Sequence, residues 1–377
     1  MKKYYAFVSF LFVSLFFIAY SCSNEDDKEY VPIVPVSPVV VDLTQVPYPK
    51  LSDYKFFDGP LKDQKPALDV LPFEPASALF TDYALKKRFV WMPKDTKATF
   101  NSDSKVLELP VGAALIKNFY YDNVLPGNTT RIIETRIMIR KSDGWIFAEY
   151  VWNDEQTEAF LDMEGSFTPI EWTNENNVVK STDYRIPNLA QCIVCHKSSR
   201  LVDNQVQVEF IPIGIKPQNL NFNYTYEDGA KNQLTKWIEA GYLEGNFSLP
   251  TENNTAVNYS DATKSVEFRA RSYVDINCAH CHQTDRHCDY RPMRFAFNET
   301  AGNETNMGVC VDTQDMQGFP TNLNKIVTPQ NKENSMLYYR LNTTNETYRM
   351  PLHGRTLIHD EGLVLMREWI DALHECD

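Results

Sequence analysis

Two runs of the form Cys-x-x-Cys-His constrain this chain more than any other feature: Cys192-Ile-Val-Cys195-His196 and Cys278-Ala-His-Cys281-His282. Each sets two thiols about one helical turn apart, with an imidazole directly after the second. At that spacing two thioether bonds can clasp the edge of a porphyrin while the adjacent histidine reaches its iron. A lone Cys-x-x-Cys also serves redox sites and zinc knuckles. Two runs, both completed by His and both downstream of an export signal, narrow the reading to two covalent haem c groups. Cys192, Cys195, Cys278 and Cys281 are then the attachment sites, and His196 and His282 the proximal iron ligands. A zinc site built from the four thiols would join halves far apart in sequence and leave both histidines unused.

The export signal is the segment 1–21. Met1-Lys-Lys3 is a basic start, and Tyr4 to Tyr20 is an apolar stretch of about 17 residues that ends at small residues, which reads as a signal rather than a membrane span. Ala19-Tyr-Ser-Cys22 resembles a bacterial lipobox, which makes Cys22 the expected lipidation site and gives membrane attachment through a lipid anchor. Ser23 favours the outer membrane, and the acidic run Asn24–Asp27 resembles surface-export tags. Residues 22–50 repeat Pro among β-branched residues, the composition of an extended, flexible tether. The formal charge of −13 grows more negative once Lys2 and Lys3 leave. That sign excludes nucleic acid and suits a redox partner protein with a basic docking face, a dehydrogenase or a downstream acceptor.

Beyond the tether, residues 51–184 read as a β-rich domain. Val106–Val111, Ala114–Tyr121, Arg131–Arg140 and Trp145–Trp152 alternate or run apolar at strand length, separated by Pro126-Gly-Asn128 and Ser142-Asp-Gly144. This predicts an antiparallel β-sandwich-like domain, with Glu134, Arg136, Arg140 and Asp154 on solvated strand faces. A mainly α-helical cytochrome c-like region is expected to follow, making a multidomain α+β chain. Its first, shortened unit is 185–260, where Asn188 can cap a helix and Leu234, Trp237 and Ile238 share a helical face. Its second is 261–377, with Arg269–Asn277 as the helix that delivers Cys278. A closing helix follows from Asp360, with Leu363, Met366, Trp369, Ile370 and Leu373 as its buried stripe.

The two haem segments differ in their distal ligands. Met350, in the Pro-restrained Arg349-Met-Pro351 loop, suits the second iron better than Met293, Met307, Met316 or Met336. Between Lys197 and Asn277 there is neither His nor Met. The first iron must therefore draw on His280, His287, His353, His359 or His374, take an unusual ligand, or keep an open position. Three cysteines remain, Cys288, Cys310 and Cys376; a Cys288–Cys310 disulfide is expected, although spacing alone leaves the three pairings open.

Taken together, Leu79-Phe-Thr-Asp-Tyr83, Leu109-Pro-Val-Gly112, Ile133-Glu-Thr-Arg136, Tyr150–Asp154, Tyr184-Arg-Ile-Pro-Asn188, Ile211-Pro-Ile-Gly214, Val274–His282 and Arg349-Met-Pro351 resemble a family of exported bacterial dihaem c-type cytochrome-like proteins. The resemblance implies covalent haem at both runs and Met350 as an axial ligand, and it supplies no substrate. Electron transfer in the cell envelope is the leading expectation. A dihaem peroxidase-like enzyme using an open first haem is the alternative, as is a docking or glycan-binding β-domain with a redox tail.

Overall fold

Strand-length runs of alternating residues build most of the strands expected of them. In the computed structural model, which describes residues 35–376, the order is β1 (Leu71–Phe73), β2 (Leu85–Trp91), β3 (Ala114–Val124) and β4 (Thr129–Lys141). It continues with β5 (Gly144–Trp152), β6 (Ala159–Leu161), β7 (Ser166–Thr173) and β8 (Val179–Ile186). These eight strands form one antiparallel sheet in the order β1-β2-β3-β4-β5-β6, and β7 joins the far end of β3 and carries β8. Asp143-Gly144 closes the β4–β5 hairpin, where Gly144 takes a positive φ. Val106–Val111 pairs only through an isolated bridge between Thr99 and Glu108, so it is not a strand.

The pleat sorts side chains onto two faces. On one, Phe89, Ile116, Ile137 and Ala148 stand in register across β2–β5. They pack against Val46, Tyr48, Leu51, Tyr54 and Phe56. The Tyr150 hydroxyl donates to the Tyr48 carbonyl at 2.8 Å and pairs with the Tyr54 hydroxyl at 2.9 Å, so the buried phenols are satisfied. The second half of the expected tether is therefore packed. Its β-branched and aromatic residues find an apolar sheet face, and each buried large side chain is worth about 1.5–3 kcal/mol. On the other face Val90, Leu115, Met138 and Phe147 form a second register row. It lies in one core with Leu107, Ile215, Leu234 and Trp237.

The fold class departs from expectation. Among the described residues strand accounts for 27% against 19% helix, and the chain after 184 is not a mainly α-helical cytochrome c-like region. Among the described residues there are six α-helices: α1 (Leu189–His196), α2 (Pro217–Leu220), α3 (Gln233–Glu239), α4 (Val266–Asn277), α5 (Met336–Leu341) and α6 (Asp360–Asp371). A β9 (Lys197–Val202)–β10 (Gln205–Phe210) hairpin follows α1 directly, and β11 (Asn223–Tyr226)–β12 (Gly229–Asn232) precedes α3. Trp237 of α3 sits edge-on to Phe73 of the sheet at 5.7 Å. The β-rich part is likewise one large sheet and not a sandwich. Ser37–Asp377 forms one compact unit, so the segments 51–184, 185–260 and 261–377 share it.

The second half retains one expected feature. α4 and α6 pack through Ala270, Tyr273, Val274, Leu365, Met366, Trp369, Ile370 and Leu373 in a single core. Gly362 lets them approach: a Cβ there would fall 2.4 Å from the Tyr273 hydroxyl oxygen. Among the described residues no helix is long and apolar enough to cross a membrane. Cys22 and the segment 1–21 lie outside the described residues.

Candidate functional site

The first run is placed by α1. Asn188 caps this helix by accepting from the Gln191 backbone N–H at 3.1 Å, and the Gln191 side chain accepts from the Asn188 N–H in return. One turn later the helix presents Cys192, Cys195 and His196. The His196 Nδ1 bonds to the Ile211 carbonyl at 2.8 Å, across the β9–β10 hairpin. A carbonyl accepts only from Nδ1–H, so Nε2 is left with its lone pair free, the tautomer an iron ligand needs. Burial pushes the His196 pKa down to about 4, which keeps the ring neutral.

The second run follows the α4 C-terminus. Asn277 fixes that turn: its side-chain NH2 donates to the Tyr273 carbonyl at 2.9 Å and its Oδ1 accepts from the Phe80 N–H at 2.8 Å. Asp275 anchors the helix from the other side, accepting from Asn219 at 3.0 Å, from the Phe297 N–H at 2.9 Å and from the Lys216 ammonium. Burial lowers the His282 pKa to about 4 and raises the Cys278 thiol to about 12. His282 Nδ1 is buried with no partner.

Two adjoining cavities receive these side chains. One, of about 330 Å³, is lined by Cys278, Cys281, His282 and Met350, with Met293 and Met336 also on its walls. The other, of about 160 Å³, is lined by Cys192, Cys195 and His196 together with the inner face of the sheet. Cys195, Asn277, His280, Pro351 and His353 belong to both. Where the cavities meet, the ligand atoms of Cys195, His280 and Cys281 lie within 4.8 Å of one another. The Cys281 thiol hydrogen-bonds Cys195, holding the Cys195 pKa well down and the Cys281 pKa up. The two runs, distant in sequence, thus meet through one cysteine of each.

The Met350 loop is held by Arg355, which no sequence motif singled out, and by Asp82 of the Leu79–Tyr83 run. Arg355, nearly fully buried, donates to the carbonyls of Met350 (2.9 Å), Leu357 (3.0 Å), Arg340 (2.9 Å) and Thr343 (3.0 Å). Buried Asp82 accepts from the Thr356 N–H at 2.7 Å, the Leu357 N–H at 2.8 Å and the Thr356 hydroxyl at 2.9 Å. Leu79-Phe-Thr-Asp-Tyr83 thereby reaches the far end of the chain.

The histidine candidates separate by environment. His359 has both ring nitrogens engaged, with the Tyr259 hydroxyl at 3.2 Å and the Tyr273 hydroxyl at 3.1 Å, and stacks on Phe80 at 4.2 Å. His287 and His374 are exposed. His280 and His353 line the sheet-side cavity, each with a buried and unpartnered Nδ1. The expected Cys288–Cys310 bridge is replaced by Cys310–Cys376, and Cys288 is a buried free thiol. Folding brings Cys376 to Cys310, a proximity that spacing does not encode.

The polar strand residues also need correcting. Glu134 is 0% exposed; it accepts from Arg136 and, at 2.6 Å, from the Tyr184 hydroxyl. Glu134 and Arg136 therefore face inward, whereas Arg131 and Asp154 form a surface pair at 2.7 Å. Comparison with family models, with curated proteins and with solved structures returned no match.

Proposed function

We propose that the chain is a dihaem c-type cytochrome lipoprotein that carries electrons in the cell envelope, between a donor such as a dehydrogenase and a further acceptor. The observation that carries this reading is that both Cys-x-x-Cys-His runs open onto adjoining cavities, with Met350 in one of them. Haem, when bound, supplies one-electron exchange at iron. The chain's own residues suit that group. Cys192 and Cys195, and Cys278 and Cys281, would hold it; His196 offers a free Nε2; and His282 lies neutral on the wall that it shares with Met350. The contact of Cys195 with Cys281 brings the two attachment sites together, as electron exchange between two groups requires.

His280 and His353 favour a carrier over the peroxidase alternative, because nitrogen donors for a sixth position stand in the first run's cavity. Pyridine haemochrome analysis of the purified chain tests the reading: two covalent haems per chain are expected, and none would refute it. The grouping of Cys195, His280 and Cys281 favours one second reading, a thiolate–imidazole site for a soft metal ion. Stoichiometric zinc with no haem in the same preparation would establish it.

A further inference from the structure

The sheet-side cavity has a wall that neither thioether attachment nor iron ligation uses. Register sets Arg88 of β2 directly opposite Lys117 of β3, and Lys117 directly opposite Arg136 of β4. The pleat turns all three to the same face, and all three line the cavity with Cys192, Cys195 and His196. Like charges directly opposite on neighbouring strands destabilise a sheet, and burial adds a desolvation cost to each.

Among the described residues only Arg136 of the three has a direct ion pair; Glu74 acts on Arg88 and Glu134 on Lys117 at longer range. Arg136 bonds to Glu134 and lies 3.5 Å from Glu149. Arg88 is 8% exposed and, among the described residues, makes no side-chain hydrogen bond and no ion pair. Lys117 has no carboxylate partner either; its ammonium lies 4.6 Å from the centre of the Phe119 ring. Burial lowers the pKa of Arg88 to about 10 and that of Lys117 well below its ordinary value. One flanking row on the same face, Val90, Leu115, Met138 and Phe147, is wholly apolar, and the other carries Lys86, Phe119 and Glu134. Three cations side by side in the row between form an arrangement that folding alone disfavours.

We infer that the row Arg88–Lys117–Arg136 holds an anionic oxygen group, carboxylate or small oxyanion, of a ligand seated in the cavity beside Cys192 and His196. Two sources share that chemistry: the carboxylates of a porphyrin attached at Cys192 and Cys195, and a free oxyanion. Only the first rests on the haem reading. Arg88 and Arg136 offer planar forks that match two oxygens at once, and Lys117 adds a point charge between them.

The test uses the full purified chain, its haem content fixed by haemochrome, and the variants Arg88→Gln, Lys117→Gln and Arg88→Lys. Phosphate and acetate are titrated against melting temperature, and both midpoint potentials are recorded. If porphyrin carboxylates are held, Arg88→Gln and Lys117→Gln shift one couple to lower potential and leave the other in place. Arg88→Lys largely restores it, and added anions do nothing. If a free oxyanion is held, the wild type shows saturable stabilisation by phosphate or acetate that the Gln variants lose. Unchanged potentials and an unchanged anion response at equal haem content overturn the inference. A wild type without haem rejects the haem reading alone. The anion titration then decides the site, and a flat titration in that chain overturns it too.

Discussion

Replacing Arg355 with Met tests how the Met350 loop is held. The substitution keeps most of the side-chain volume and removes every donor. Four carbonyls, those of Met350, Leu357, Arg340 and Thr343, lose a charged partner. A hydrogen bond to a charged group is worth about 1.5–3 kcal/mol. Two effects reduce the sum. All four residues are only half-buried, so water can reach some of the carbonyls. The guanidinium is also costly to bury, its pKa being pushed down to about 10. The expected net loss is about 3 kcal/mol. Guanidinium denaturation gives the stability, and, on the proposed dihaem reading, the oxidised spectrum gives the sulfur-to-iron charge-transfer band expected of a Met350 ligand. Loss of both is expected, with haem content retained. A variant that loses stability but keeps the band would show that Arg355 braces the fold without placing Met350. A change below about 0.5 kcal/mol would refute the bonding argument altogether.

Met350→Ala removes the same band without a stability loss of that size, and an unchanged oxidised spectrum would reject Met350 as ligand. Cys376→Ser opens a loop with a sequence separation of 66 residues. The chain-entropy estimate for that loop is about 4 kcal/mol, to be read by denaturation with and without reductant. Gly362→Ala drives a Cβ to 2.4 Å from the Tyr273 hydroxyl oxygen, and a loss of about 1–3 kcal/mol in thermal unfolding is expected. His359, whose folded pKa burial lowers to about 4, binds its proton more weakly folded than unfolded. Stability should therefore fall as pH drops from about 6.5 toward 4, by up to ~1.4 kcal/mol per unit, and level off below. Equilibrium unfolding of His359→Phe across that window should show a flatter slope.

Arg136 and Glu134 show where sequence reading stopped. Alternation correctly marked β4 as a strand, but period 2 says only that the two faces differ. That the charged face turns inward depends on Arg88 and Lys117 standing beside it, a matter of register between strands far apart in the chain. The first run was expected on a helix followed by a second helix. The capping residues did form α1, but Lys197–Phe210 formed a hairpin, and Trp237 spent its apolar surface on the sheet. Short apolar helical stripes name a buried face without naming its partner. His280 and His353 could be listed beforehand as donors, yet only packing separated them from His359, whose two tyrosine partners come from segments about a hundred residues away.

The sequence by itself determined the spacing of thiols and imidazole in the two Cys-x-x-Cys-His runs, the strands β3, β4 and β5, the cap of α1 and the two helices α4 and α6. These rest on spacing, periodicity and capping over a dozen residues or fewer. Tertiary structure alone decided that the runs meet at Cys195 and Cys281, that Cys310 pairs with Cys376, and that Arg355 and Asp82 fasten the Met350 loop. It also decided that three cations share one inward row. Each of those depends on bringing distant segments within a few ångströms, and the free energy for that comes from burying the sheet's two faces, which no local pattern encodes.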